Sequence, residues 1–395
     1  MKELLLGRMN LVNKLHQKSV VEKLQQIDWN FGTKSPYVVE LDPTTACDLA
    51  CPGCISGDLL NQKDSFDNRF SNDRLVEISN ELIESGVKAV ILIGGGEPLS
   101  HPKVGEVIEN FGKNDVQIGI TTNGTFIKKH LDLIAKYASW TRVSMDAGTD
   151  ETFKYLRPTR SGRSKFNPIV ENMRELAKVK TGILGYSFLI RTAADGDAES
   201  VAGLSEYGKI QLSNVNEIFE AAKLAKEIGC DYFEPKPSYD DDHNLVTHSE
   251  YDMTVAKEMI RRARELEADN FKVLESINLQ AALNREQIGD QPKDYTSCPA
   301  ADLRTLVTPS GVYVCPYFRG NENFKIGDMR NQSLEEMWSS DHRKNIMDKL
   351  DPSCDCDKLH CIRHDTNLEV FEIMRKIEAD KEIEIHKVDA EDRFI

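Results

Sequence analysis

The chain has 395 residues, 40% of them hydrophobic and 29% charged, and its 65 acidic side chains outnumber 50 basic ones for a net charge of −15. This is the composition of a globular protein with core enough for about two or three domains, and it lacks the basic footprint that a nucleic-acid partner requires. The apolar start Leu4-Leu5-Leu6 breaks at Gly7-Arg8, too short for an export signal, and no stretch reaches the roughly 18 apolar residues of a membrane helix; a cytoplasmic protein with no membrane partner is expected.

Taken in order, residues 1–35 place Leu11, Val12, Leu15, Val20, Val21 and Leu24 at helical spacing, which predicts one or two amphipathic helices packed on the main body. From residue 36 strand and helix alternate. Apolar runs at 37–41, 89–93, 116–121, 140–144, 184–190 and 231–234 read as strands, with helical patterns at 72–85, 103–111, 128–138, 168–179 and 215–228 between them. Gly86 and Gly229 stop two of these helices, and Asn214 with Glu217 three residues on predicts a capping box. Six strand–helix units imply a parallel sheet with helices on one side, an α/β partial (β/α)6 barrel whose chemistry sits at the C-terminal strand ends. Residues 191–213 read as a surface insertion, with an active-site cover as the alternative, and Asp240-Asp241-Asp242 as a solvated charge run, with a contact to a cationic substrate as the alternative. Helical patterns at 249–268 and 276–286 follow. The division this implies is a helical extension at 1–35, a barrel at 36–240, a helical linker at 241–297, a cysteine-bearing domain at 298–370 and a helix or tail at 371–395.

Nine cysteines without an export signal imply reduced thiols, and they are unevenly placed. Cys47, Cys51 and Cys54 follow the first strand with the spacing C-x3-C-x2-C. Three thiolates this close can bind one face of a metal cluster and leave one metal position open, which marks chemistry rather than scaffolding. Structural zinc or buried free thiols are the alternatives, although no His or Cys occurs in the next forty residues. Gly94-Gly95-Gly96-Glu97-Pro98 follows the second strand, where glycines let a backbone edge approach a ligand. Thr121-Thr122-Asn123-Gly124 ends the third strand and Ser144-Met145-Asp146 the fourth; such groups suit hydrogen bonding to a ribose, or simply cap turns. Ser187 and Arg191 lie at the fifth strand, and Glu234 and Lys236 are candidates to face the pore from the sixth. Further on, Cys298 and Cys315 bracket a hairpin, followed by Cys354, Cys356 and Cys361; four closed thiolates would also suit zinc. Cys230 reads as a core thiol, and His360 and His364 as surface or supporting residues.

In order and spacing these motifs resemble the radical S-adenosylmethionine (radical SAM) superfamily over roughly residues 36–365. The resemblance implies a 4Fe–4S cluster on Cys47, Cys51 and Cys54 whose open iron binds S-adenosylmethionine (SAM). It further implies that Gly94, Gly95, Gly96 and Glu97 meet the SAM amine, that Asn123, Ser144 and Asp146 meet the ribose, and that Arg191 meets the SAM carboxylate. One departure stands out: the family usually has an aromatic residue just before the third cysteine, and this chain has Gly53. The C-terminal cysteines resemble a SPASM/Twitch extension. Having five thiols rather than the seven of a full SPASM set, the chain is expected to hold one auxiliary 4Fe–4S cluster on Cys298, Cys315, Cys356 and Cys361, with Cys354 as the substitute ligand.

The activity implied is an oxidoreductase- or isomerase-type reaction. Reductive cleavage of SAM, with electrons from a donor such as flavodoxin or ferredoxin, gives a 5′-deoxyadenosyl radical that takes hydrogen from a C–H bond. Only 35 residues precede the first strand, no room for the peptide-recognition domain that peptide-modifying members often carry. The expected substrate is therefore a small molecule such as a sugar, cyclitol or amino-acid derivative, with a ribosomal peptide or protein as the alternative. An iron–sulfur electron carrier or zinc-binding interaction protein is the alternative of another class.

Overall fold

The computed structural model describes residues 11–27, 32, 34–54, 69–192, 212–239, 245–284, 293–357, 359, 361–388 and 390–395. Among the described residues two short helices, α1 (Leu11–Leu15) and α2 (Lys18–Gln25), precede β1 (Val38–Leu41). Then come α3 (Asn72–Glu84), β2 (Ala89–Leu92), α4 (Val104–Lys113), β3 (Gln117–Thr122), α5 (Leu131–Tyr137), β4 (Ala138–Ser144), α6 (Asp150–Leu156), α7 (Phe166–Val179), β5 (Ile183–Leu189), α8 (Ile218–Ile228) and β6 (Tyr232–Lys236). Beyond the barrel lie α9 (Glu250–Arg264), β7 (Lys272–Val273), α10 (Ile277–Asn284), α11 (Pro299–Leu303), β8 (Arg304–Thr308), β9 (Gly311–Tyr313), β10 (Lys325–Gly327), α12 (Leu334–Trp338), α13 (Asp341–Lys349), α14 (Pro352–Asp355) and α15 (His364–Glu378).

The six apolar runs form β1 to β6, side by side and parallel, in a sheet of order β10-β9-β8-β1-β2-β3-β4-β5-β6-β7. Its two ends do not pair, so the barrel is partial, as the strand–helix alternation predicts. The cysteine-bearing segment is continuous with it: β8 pairs parallel with β1, Val38 opposite Arg304, and turns through Pro309-Ser310 into antiparallel β9.

Strand alternation sorts the core into two layers. Val39, Leu41, Val90 and Leu92 pack towards α3 and α4 with Leu75, Ile78 and Val107. Val38, Ala89 and Ile91 point the other way, into a cluster with Leu15, Val20 and Leu24 of the N-terminal helices. The last residues of the chain close this inner layer. Phe394 and Ile395 are buried there, the Phe394 ring edge-on to Trp140 at 5.4 Å. Lys14 Nζ donates to the Phe394 carbonyl at 3.0 Å and Arg304 Nη1 to that of Ile395 at 2.9 Å. A segment read only as a helix or tail thus plugs one end of the barrel. Phe394→Ala, which empties an aromatic site in that plug, is expected to lower the unfolding free energy by about 3–5 kcal/mol, read as a shift in the urea midpoint.

Helix ends follow local chemistry. Ser71 caps α3, its hydroxyl accepting the Arg74 N–H at 3.2 Å, and Gly86 and Gly229 take φ of +84° and +94° after α3 and α8. The capping box expected at Asn214 does not form. The Asn214 side chain donates instead to the carbonyls of Asp146 and Leu189, at 2.9 and 2.8 Å. Glu217 reaches across to the start of α6, accepting the Gly148 N–H at 2.8 Å and the Thr149 hydroxyl at 2.9 Å. Tertiary partners have outbid the local pair. The bulk of the 191–213 connection, Asp240-Asp241-Asp242 and His360 lie outside the described residues.

Candidate active site and auxiliary thiol site

The loops after β1, β2 and β3 form one hydrogen-bonded unit. The cysteine loop is anchored on its far side, where Leu49 bridges Thr159 and the Ala50 N–H donates to the Pro158 carbonyl at 2.7 Å. Within it Gly53 takes φ +62°, a left-handed conformation that an aromatic residue would adopt only under strain. Glycine at the position of the family's usual aromatic residue takes this turn without that strain.

The glycine loop after β2 lies directly on the cysteine loop. Gly96 N–H donates to the Thr44 carbonyl at 3.1 Å and Glu97 N–H to that of Ala46 at 2.8 Å. A Cβ on Gly96 would stand 2.3 Å from the Ala46 oxygen and 2.4 Å from the Thr45 carbonyl carbon. Glycine is required by this approach of two backbones. Glu97 is fully enclosed, and both its oxygens are engaged: Oε1 accepts the Thr122 hydroxyl at 2.6 Å and the Leu99 N–H at 3.1 Å, while Oε2 accepts the Asn123 N–H at 2.7 Å. Burial pushes its carboxyl up to about 7 against those hydrogen bonds. Asn123 turns back to the cysteines, its amide donating to Asp48 at 2.9 Å and lying 3.7 Å from the Cys47 sulfur.

At the end of β4 Ser144 pairs in register with Ser187 of β5. Asp146, at φ +56°, accepts the Leu189 N–H on Oδ1 at 2.8 Å and meets Arg157 Nη1 on Oδ2 at 2.5 Å. Burial opposes the Arg157 charge, yet Cys51 and Asp146 hold the group above its ordinary value. Arg191 is buried after β5, its N–H donating to Asn214 Oδ1 at 2.8 Å, and Asn214 in turn holds Asp146. On the inner face of β6, Glu234 sits 3.6 Å from Arg142 of β4; burial, then Arg142, presses the Lys236 amine down to about 8.

Of the sequence-derived residues, Gly96, Glu97 and Asn123 thus meet the cysteine loop and Asp146 is joined to Arg191 through Asn214, but Glu97, Asn123 and Asp146 spend their side chains on the protein itself. Sequence reasoning missed Asp42, Asp48 and Arg157. Asp42 directly follows β1, and the strand-end rule that found Asn123 and Ser144 applies to it equally; nothing local marks Arg157.

Burial raises Cys47 well above its ordinary value, with Cys51 and Glu97 adding to it, and raises Cys51 to about 11 despite Arg157. Burial raises the core thiol Cys230 in the same way, so it is the shared loop rather than the shift that groups these cysteines.

In the C-terminal segment four thiols feel one another. Burial lifts Cys298 to about 11 and Cys356 to about 12, and Cys315 and Cys361 rise as well. Asn367 of α15 supports the group, its amide 3.4 Å from the Cys298 sulfur and its oxygen accepting the Ala300 N–H at 2.9 Å. Cys354 stands apart, exposed, with its sulfur beside Ser353 and Asp351. Among the described residues no three His, Cys, Asp or Glu side chains close to the spacing of a single-ion site. Cys230 is a buried core thiol. Also among the described residues, no helix is long and apolar enough to cross a membrane.

Comparison with known proteins agrees with this geometry. The chain matches the radical SAM superfamily over residues 41–204 and an iron–sulfur cluster-binding domain, SPASM, over residues 298–361. It is 23% identical to mycofactocin maturase MftC of Mycobacterium ulcerans (strain Agy99), covering 78% of this chain and 76% of that protein. An uncharacterized protein of Archaeoglobus fulgidus is also 23% identical, over 82% of this chain and 70% of its own. Among solved structures the fold is shared with Streptococcus suis SuiB bound to S-adenosylmethionine, at TM-score 0.57 and 16% identity over 84% of this chain and 72% of that one. It is shared too with anSMEcpe bound to AdoMet and the Cp18Cys peptide, at TM-score 0.53 and 14% identity over 88% of this chain and 100% of that one. With the cysteine and glycine loops locked together after β1 and β2, and four further thiols on the segments that flank the β8–β9 hairpin, the chain belongs to the radical SAM superfamily and carries a SPASM auxiliary-cluster domain.

Proposed function

We propose that this enzyme modifies a ribosomal peptide or protein, taking hydrogen from one of its C–H bonds. The observation that carries this reading is the likeness to mycofactocin maturase, which spans most of both chains rather than the barrel alone. It favours a peptide or protein over the small-metabolite substrate expected from the short N-terminal extension. An open cleft of about 590 Å³ beside the cysteine loop, lined by Asp48, Thr159, Arg160, Arg163 and Lys165 among others, leaves room for a chain segment to approach.

When bound, the cluster and SAM supply a carbon radical able to take a hydrogen atom from an unactivated C–H bond. The chain's own residues bind and orient. Cys47, Cys51 and Cys54 hold the first cluster, and the edge Gly94–Gly96 receives the SAM amine. Ser144 faces the ribose and Arg191 the SAM carboxylate, while Glu97, Asn123 and Asp146 fix the loops that carry them. Cys298, Cys315, Cys356 and Cys361 hold the auxiliary cluster, and an external donor such as flavodoxin or ferredoxin supplies electrons. On this assignment Cys356→Ala and Cys361→Ala each lose the auxiliary iron, whereas Cys354→Ala keeps it, as measured by iron and sulfide content after anaerobic reconstitution.

The substrate class is tested by adding a dialysable metabolite fraction or a peptide and protein fraction of the host extract to reconstituted enzyme. Faster 5′-deoxyadenosine release with the peptide fraction, and a mass change in one of its components, is expected. Stimulation by the metabolite fraction alone would overturn the reading.

A further inference from the structure

Arg319 belongs to the auxiliary domain but ends in the barrel. It follows Cys315 by four residues through the tight turn Pro316–Phe318, in which the Tyr317 N–H points at the Cys315 sulfur at 3.4 Å and the Phe318 N–H donates to the Cys315 carbonyl at 3.1 Å. The position of Arg319 is thereby tied to that of Cys315. Its guanidinium donates to Asp42, at the end of β1, in an ion pair whose side chains are 18% and 1% exposed. The same Asp42 oxygen, Oδ2, accepts the Gly95 N–H at 3.0 Å. A Cβ on Gly95 would lie 3.5 Å from Arg319 Nη1 and 3.7 Å from Asp42 Oδ2. The other oxygen, Asp42 Oδ1, is buried without a hydrogen-bond partner. Asp42 therefore relies on Arg319 and one backbone amide to keep a buried charge in place, which is costly if either is lost.

We propose that Arg319 is a positioning residue: through Asp42 it fixes the Gly95 amide, so that a filled auxiliary site at Cys315 tightens SAM binding at the glycine loop. The proposal rests on the reading above, in which Gly94–Gly96 receives SAM and Cys315 ligates the auxiliary cluster. It gives the auxiliary domain a mechanical role in SAM binding, separate from any electron transfer. Coupling of this kind is reciprocal, so SAM also stabilises the auxiliary site.

The test compares SAM dissociation constants by anaerobic equilibrium dialysis, together with the SAM-induced change in the electron paramagnetic resonance signal of the first cluster. The proteins are wild type, Arg319→Gln, the auxiliary-site variant Cys356→Ala/Cys361→Ala, and the three substitutions combined. Arg319→Gln and the auxiliary-site variant are each expected to weaken SAM binding by about tenfold, with first-cluster iron retained. Combined, they should weaken it no further, because both break one path. Where Arg319→Gln does not fold by circular dichroism, Arg319→Lys takes its place; it keeps the charge without the planar fork and is expected to fall between wild type and the auxiliary-site variant. Wild-type affinity in a folded Arg319 variant, or in the auxiliary-site variant, overturns the inference alone. A loaded wild type that binds no SAM overturns the underlying reading and the inference with it.

Discussion

Gly96→Ala is expected to strip the first cluster from the protein while leaving the auxiliary cluster in place. The new methyl would stand 2.3 Å from the Ala46 carbonyl oxygen and 2.4 Å from the Thr45 carbonyl carbon, and both are backbone atoms of the loop that leads into Cys47. No rotamer can relieve such a contact. One of the two loops must move, breaking the hydrogen bonds from Gly96 to Thr44 and from Glu97 to Ala46 that join them. Overpacking of a rigid site typically costs about 1–3 kcal/mol, which a domain with this core survives, so the loss should be local. Anaerobic reconstitution should give about half the wild-type iron and sulfide, and SAM cleavage should fall by at least about 100-fold, since displacement by about 1 Å already costs this much at a reacting centre. Full iron content with normal cleavage would mean that the contact between the loops does not set the site.

Arg157→Met has the second large effect, and it acts on stability and redox behaviour together. Arg157 meets Asp146 at 2.5 Å, with side chains only 14% and 11% exposed. Removing the cation strands a buried carboxylate, which typically costs about 3–5 kcal/mol. Arg157 is also the cation nearest in influence to Cys51, opposing the rise of that thiol. Without it the thiolates are less well compensated, and added negative charge on the cluster is less favourable. The variant should unfold at lower urea, and the midpoint potential of the first cluster should fall in an electron paramagnetic resonance titration. The neutral double variant Asp146→Asn/Arg157→Met separates the two effects: it should recover most of the stability, because no buried charge is left alone. A single variant with unchanged stability and potential would remove Arg157 from the account.

The barrel was legible because its strands are short apolar runs flanked by glycines and helices of clear period, and β1 to β6 fall on the six runs read from the sequence. The cysteine, glycine and strand-end motifs were legible as a set because each follows a strand directly. Their division of labour was not. Glu97 and Asp146 look like ligand-binding carboxylates in the sequence, yet their partners are Thr122, Asn123, Leu189 and Arg157, a choice made by tertiary contacts. Asn214 and Glu217 show the same competition, a good local cap given up for better distant partners. Arg319 and Asp42 lie 277 residues apart in the chain, so no local pattern could join them. Helix α6 and the helices α12 and α13 near the auxiliary thiols were missed because five to nine residues carry too little periodicity to read. The plug formed by Phe394 and Ile395 was missed because two apolar residues at a chain end say nothing of what they cover.

The most direct test of the account is 5′-deoxyadenosine release from SAM by anaerobically reconstituted protein given dithionite and the peptide fraction, beside a Cys47→Ala/Cys51→Ala/Cys54→Ala control. The account predicts release by the wild type and none above background by the control, which should still hold the auxiliary cluster. Equal release by both, or none from wild type with both clusters intact, would contradict it.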